Sequence, residues 1–213
     1  MTVGIIPVTR RTVMAAALAA LLGACNAVPK KEARLWFDAH GGTPPSATTA
    51  IVCHGFGCHF RTSVRLSAAD LGTLRGLLAN GAASPQAERE AIRAAVAWAE
   101  QRVAPTVGSE NDVGGLDVWN AGKHGQMDCI DEATNTTSYL LIAEKHGFLR
   151  HHTVARPVSR GFFLDGRYPH ATAVVVETAL RTAYAIDSWP HANGVKPDVL
   201  TLDAWRAASP ARS

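Results

Sequence analysis

Along the chain, stretches with apolar residues at helical spacing are separated by shorter segments in which apolar and polar residues alternate or apolar residues run together. Ser67 followed by Asp70 is a capping-box-like start for a helix with Leu71, Leu74, Leu77 and Leu78 on one face, and Asn80-Gly81 stops it. Ser84-Pro85 starts the next helix, with proline at the first helical position, where its missing N–H costs nothing. Ile92, Val96, Ala99 and Val103 form its apolar stripe, and Glu88, Arg89, Glu90 and Arg93 its wet side. Asp128 to His146 is the strongest helical segment: Ile130, Ala133, Thr134, Thr137, Leu140, Leu141 and Glu144 step along it, and Gly147 ends it.

Ala50 to Cys53 and Arg61 to Leu66 read as short strands around the loop Cys53-His54-Gly55-Phe56-Gly57-Cys58, with Thr62, Val64 and Leu66 alternating as a half-buried strand requires. Val107 to Gly125 is polar and glycine-rich and reads as a long loop, a kind often functional in compact domains. From Thr153 onward the pattern turns to strands, at Thr153 to Val158, Gly161 to Leu164, His170 to Glu177 and Thr182 to Asp187. The run Val174, Val175, Val176 suits a strand buried on both faces. Helices first and an antiparallel sheet afterwards make an α+β arrangement.

The 213 residues are 47% hydrophobic and 18% charged, which fits a folded domain and argues against disorder. The net charge of +3, with no basic cluster interleaved with aromatics, gives nucleic-acid binding no support. Arg150, His151, His152, Arg156 and Arg160 make the segment before the sheet basic; it reads first as a solvated face, with an anionic substrate as the alternative.

The N-terminus carries a different pattern. Arg10 and Arg11 precede the apolar run Val13 to Gly23, too short to span a bilayer as a mature helix, and the run ends at Leu22-Gly23-Ala24-Cys25. That ending resembles the bacterial lipobox. The resemblance implies a signal peptide over 1–24, cleavage before Cys25, a diacylglycerol on its thiol, and a domain facing the periplasm from the cell envelope. Thr9-Arg10-Arg11-Thr12-Val13-Met14 also resembles a twin-arginine signal, but lacks the usual phenylalanine. Residues 25–46, with Pro29, Lys30, Lys31, Pro44 and Pro45, read as a tether from which Leu35, Trp36 and Phe37 are placed to dock on the body, and 47–213 as the domain.

With Cys25 assigned to lipid, Cys53 and Cys58 pair most simply as a disulfide in an oxidising compartment, which leaves Cys129 as a lone thiol. Asp128 as N-cap makes Cys129 the first residue of its helix, where the dipole and free N–H groups favour a thiolate. Asp128, Asp131 and Glu132 oppose this, unless Asp131 is absorbed in capping and Glu132 faces a cationic substrate group. His170 opens the valine-rich strand and Asp187 closes the next. A turn centred near Ala179 and Leu180 sets His170 opposite Trp189, with Asp187 its same-face diagonal neighbour; a one-residue slip would separate them.

The order Cys, His, Asp, with the cysteine opening a helix and the other two on adjacent strands, resembles the transglutaminase-like cysteine peptidase superfamily. The segment Asp128-Cys129-Ile130-Asp131-Glu132-Ala133 is similar to the nucleophile motif of bacterial transglutaminase-like cysteine proteinases. The resemblance spans roughly Gly125 to Trp189. It implies a papain/transglutaminase-like fold, with Cys129 as nucleophile, His170 as base and Asp187 as the acid that orients it, attacking a peptide or other amide of the envelope with no metal or cofactor. The oxyanion would be held by the Cys129 N–H and a side-chain donor, for which Gln126 is the candidate.

Rival readings remain open. A non-catalytic module on the same scaffold would grip a peptide or envelope partner. Cys53 through His59 also resembles a wide-spaced c-type haem attachment, which would make the domain an electron carrier. Zinc bound by Cys53, Cys58, His54 and His59 would be crowded, since tetrahedral sites usually draw ligands from separated segments.

Overall fold

The computed structural model describes residue 1 and residues 33–115, 118–161 and 169–208. Its elements run α1 (Ala33–Ala39), β1 (Thr49–His54), β2 (Phe60–Arg65), α2 (Ala68–Ala79), α3 (Pro85–Val107), α4 (Cys129–Lys145), β3 (His152–Arg160), β4 (His170–Glu177), β5 (Ala183–Asp187), β6 (Asp198–Thr201) and α5 (Leu202–Ala207), with a single 3-10 turn at Val118–Asn120. Arg10, Arg11, the apolar run Val13 to Gly23 and Cys25 lie outside the described residues, as does the expected Gly161 to Leu164 strand from residue 162 on. Among the described residues no helix is long and apolar enough to cross a membrane.

Local chemistry sets the helix starts. Ser67 Oγ accepts the Asp70 N–H at 3.1 Å while the Asp70 carboxylate takes the Ser67 N–H at 2.8 Å, closing the capping box of α2. Ser84 caps α3 ahead of Pro85, and Gly108, at φ 80°, ends it in the left-handed conformation. Val107 is therefore the end of a helix and not the start of the loop expected there. The tether expectation is corrected from Ala33 onward: α1 is a helix with Trp36 and Phe37 buried, while Leu35 stays exposed.

β1 and β2 form an antiparallel pair. The other four strands make an antiparallel sheet in the order β3-β4-β5-β6. Pro157, which has no N–H for the ladder, falls within the register shift between Ala155 and Val158. β4 is buried along its whole length. On one face, Ala173 and Val175 join Val154 and Ile186 in the main core with Val96, Leu140 and Ile142 of the helices; on the other, Val174 and Val176 meet Leu202 and Trp205 of α5. The sheet is thus covered on both sides, which is what the uninterrupted valine run requires. The molecule is α+β, with α4 packed between β1 and β4.

One polar network is buried where α3 meets β3. Glu88 accepts the N–H groups of Arg150 and His151 at 2.6 and 2.8 Å and pairs with His152 Nδ1 at 2.8 Å. Arg89 reaches Glu177 at 2.9 Å and lies over the Tyr184 ring. The start of the basic segment is therefore partly interior: His152 is buried, although Arg150 is exposed.

Candidate active site

The N-terminus of α4 is built from two aspartates. Asp128 Oδ1 accepts the N–H groups of Ile130 and Asp131 at 3.0 and 2.9 Å, and Asp131 returns a bond to the Asp128 N–H at 3.4 Å. The Cys53–Cys58 disulfide is formed, with Cα atoms 4.5 Å apart. The loop it closes docks on these same carboxylates: Cys58 and Phe56 donate their N–H groups to Asp131 at 2.6 and 2.8 Å, and Gly57 donates to Asp128 at 3.1 Å. Gly55, Phe56, Gly57 and Cys58 all have positive φ, which curls the last three N–H groups toward the acids, while the Gly55 N–H donates to the Gln126 carbonyl at 2.6 Å. Asn135 completes the attachment, accepting the Cys53 N–H at 2.7 Å and donating to the Cys53 carbonyl at 2.8 Å. Burial, with the Asp128 charge beside it, pushes the Asp131 carboxyl up to about 7.

The two sulfurs are bonded to each other, so neither serves as a haem thioether or a zinc ligand in this state. His54 is also occupied: Nε2 pairs with Thr62 Oγ1 at 2.9 Å and Nδ1 accepts the Gly125 N–H at 3.2 Å. That acceptor role fixes a neutral ring, and burial pushes His54 down to about 4.

Cys129 is the first residue of α4, as expected, but it is only 9% exposed. Trp36 of α1, Ala133 and Ala171 surround it, with Ile130 and Trp189 alongside. Its thiol faces the Pro169 carbonyl at 3.9 Å and receives the Ala171 N–H, so the sulfur lies against the backbone on either side of His170. Burial pushes the thiol up to about 12, with the charges of Asp128 and Asp187 adding to it. This corrects the expectation of a helix-favoured thiolate. The helix end offers a partial charge of roughly half a unit, whereas desolvation and full carboxylate charges act against ionisation.

His170 and Asp187 meet as the turn geometry requires. β4 and β5 pair Val176 with Ala183 and Ala173 with Ile186, so continuing the register sets His170 opposite Trp189 and Asp187 one diagonal step away. His170 Nε2 lies 2.7 Å from Asp187 Oδ2, and the His170 and Trp189 rings stand 4.5 Å apart. The same Oδ2 accepts the Trp205 indole N–H at 2.7 Å. His170 Nδ1 and Asp187 Oδ1 are buried with no hydrogen-bond partner. The thiol and the imidazole are therefore not hydrogen-bonded to each other in this state.

Glu132 does not face a substrate. It is buried, accepts the Ser188 hydroxyl at 2.6 Å, and is pushed up to about 8 by burial and by neighbouring Asp112. Glu100 is likewise raised by burial and by Glu132. Gln126 ties together Asn111, Val113 and Asn120 of the preceding segment. Its Oε1 accepts Asn120 Nδ2 at 3.0 Å and the Val113 N–H at 3.3 Å, and its Nε2 donates to the Asn111 carbonyl at 3.0 Å. One Nε2 hydrogen is thus engaged within this segment. Gly115 donates to the Trp189 carbonyl at 2.6 Å, which joins this segment to the edge of the site.

The residues that sequence reasoning did not single out are Trp36, Ser188 and Trp205. The proximity of Trp189 to His170 was signalled by register; Trp36 was expected to dock on the body but not beside the thiol, and Trp205 carried no local signal, since each reaches the site from a distant part of the chain. Compared with protein families, curated proteins and solved structures, the chain matches no family model, no curated protein and no solved structure.

Proposed function

We propose that the chain is an exported, lipid-anchored protein whose Cys129, His170 and Asp187 form an acyl-transfer site on a papain/transglutaminase-like scaffold, acting on a peptide or other amide of the cell envelope. The observation that carries this reading is the buried His170–Asp187 pair at 2.7 Å, which leaves Nδ1 bare while the Cys129 sulfur rests on the backbone flanking that histidine. With Asp187 ionised the ring proton belongs on Nε2, and Nδ1 is the base.

Because burial keeps the sulfur protonated, the thiol does not enter the reaction as a preformed ion pair. Nδ1 takes the proton as sulfur attacks the carbonyl. The resulting oxyanion lies toward the Cys129 N–H at the helix start, with Gln126 the candidate second donor. Collapse expels the amine, which takes the proton back from Nδ1 and leaves a thioester on Cys129. Water then releases the acid, or an amine completes transfer.

A second reading, a non-catalytic binding module, is favoured by the near-complete burial of Cys129 and by a thiol held up to about 12. Iodoacetamide labelling of the native protein near neutral pH separates the two. The acyl-transfer reading expects Cys129 labelling, slow because the thiol is buried, to depend on the histidine, with His170→Ala slowing it by about a further 100-fold. Labelling indifferent to His170 would assign the scaffold to binding.

A further inference from the structure

Asp187 Oδ2 takes two donors, His170 Nε2 and Trp205 Nε1, each at 2.7 Å. Trp205 is itself firmly held. It is buried on α5, in ring contact with His170 at 5.4 Å. The Arg160 guanidinium lies 4.3 Å over the indole and donates to the carbonyls of Trp205 and Ala208, where α5 ends. A buried carboxylate with a single partner is free to turn about its last side-chain torsion and exchange its oxygens. Here Oδ1 has no partner, so nothing on that side opposes such a turn. The indole supplies the opposition: it is a donor only, so it fixes Oδ2 without competing for the imidazole proton.

We propose that Trp205 is a positioning residue of the Cys129–His170–Asp187 site, holding Asp187 Oδ2 against His170 Nε2 so that the ring keeps its proton there and presents Nδ1 bare to the thiol. The inference rests on the acyl-transfer reading for its consequence, but not for its geometry. Its role is conveyed through Asp187 and involves no contact with substrate.

Trp205→Phe keeps ring bulk in the core and removes the N–H. In the unsubstituted protein, heteronuclear NMR of the neutral His170 ring should show the Nε2–H form alone; in Trp205→Phe both tautomers should be populated, and Cys129 alkylation should slow about tenfold, the worth of one hydrogen bond. A merely structural role would lower the melting temperature and leave the tautomer unchanged, which would overturn the proposal. The tautomer needs no turnover, so an inert Cys129 in the unsubstituted protein would count against acyl transfer while leaving Trp205 under test. Should Trp205→Phe not fold, the indole proton of the unsubstituted protein decides: a signal well downfield of exposed Trp119 supports the bond, and one coincident with Trp119 overturns it.

Discussion

The Cys58 N–H lies 2.6 Å from Asp131 Oδ1, so a disulfide loop and the helix carrying the lone thiol share one buried carboxylate. Asp131 takes a second N–H from Phe56. Asp131→Ala would strand the buried Cys58 N–H and the part-buried Phe56 N–H. The expected loss is about 3 kcal/mol of unfolding free energy, measured by urea titration, since an unsatisfied buried group costs roughly 1–3 kcal/mol. An unchanged midpoint would mean that the loop is not held there.

Closing the short Cys53–Cys58 loop restrains the unfolded chain less than a long loop would, by about 2 kcal/mol on chain-entropy grounds. The double variant Cys53→Ser, Cys58→Ser should lose about that much, again by urea titration. It should also alter the Cys129 labelling rate, because the loop N–H groups would no longer hold Asp128 and Asp131 in register with the helix.

Titration of the buried acids gives stability a pH slope. Glu132 is pushed up to about 8 and Asp131 to about 7, both above their unfolded values, so the folded state holds more protons than the unfolded one between those limits. Stability from these groups is complete below about pH 4 and falls as pH rises toward 8. Glu132→Gln retains an acceptor for Ser188 and removes the titration. It should flatten the decline between pH 5 and pH 8, followed by denaturant midpoints across that range; a slope identical to the unsubstituted protein would refute the assignment. Asp70 acts in the opposite sense: its Arg102 partner holds it down to about 2, so its contribution is lost only as pH falls below the ordinary carboxylate range.

Trp36 packs in the buried cluster that holds Cys129 and donates to Thr134 Oγ1 at 2.9 Å. Trp36→Ala should destabilise the fold by about 3–5 kcal/mol, as large aromatic truncations do. Opening the space to water also eases the desolvation that keeps the thiol protonated. Cys129 alkylation at pH 8, followed by mass spectrometry, should therefore become faster despite the lower melting temperature. Slower alkylation would show that Trp36 does not control access.

Glu88 supplies a contrast far from the thiol. Glu88→Ala removes the acceptor for the Arg150 and His151 N–H groups and for His152. Breaking such a buried pair costs about 3–5 kcal/mol. The melting temperature should drop sharply while Cys129 labelling, under conditions where the variant is folded, stays unchanged.

Sequence made visible what depends on neighbours in the chain. Ser67, Ser84 and Asp128 cap helices where their spacing to Asp70, Pro85 and Asp131 indicated, and the turn near Ala179 and Leu180 set the register joining His170 to Asp187. What depends on remote packing was hidden. The protonation of Cys129 is set first by burial among Trp36, Ala171 and Trp189, all remote from it in sequence, while of the two charges that add to it the adjacent Asp128 was legible and Asp187 acts from a distant strand. The prolines and lysines around α1 masked a helix whose Trp36 and Phe37 are interior. β6 is short and largely exposed, so it has no alternation to read, and with it α5 and Trp205 went unnoticed.

The position of α1 limits how far the molecule could stand from a surface. If Cys25 carries the diacylglycerol, the eight peptide steps from it to Ala33 reach about 28 Å even when fully drawn out. Trp36 lies near the start of that helix and belongs to the apolar cluster that encloses Cys129. Under the proposed anchoring at Cys25, the start of α1, and with it the wall of the Cys129 cluster, would be leashed to within that distance of the membrane surface.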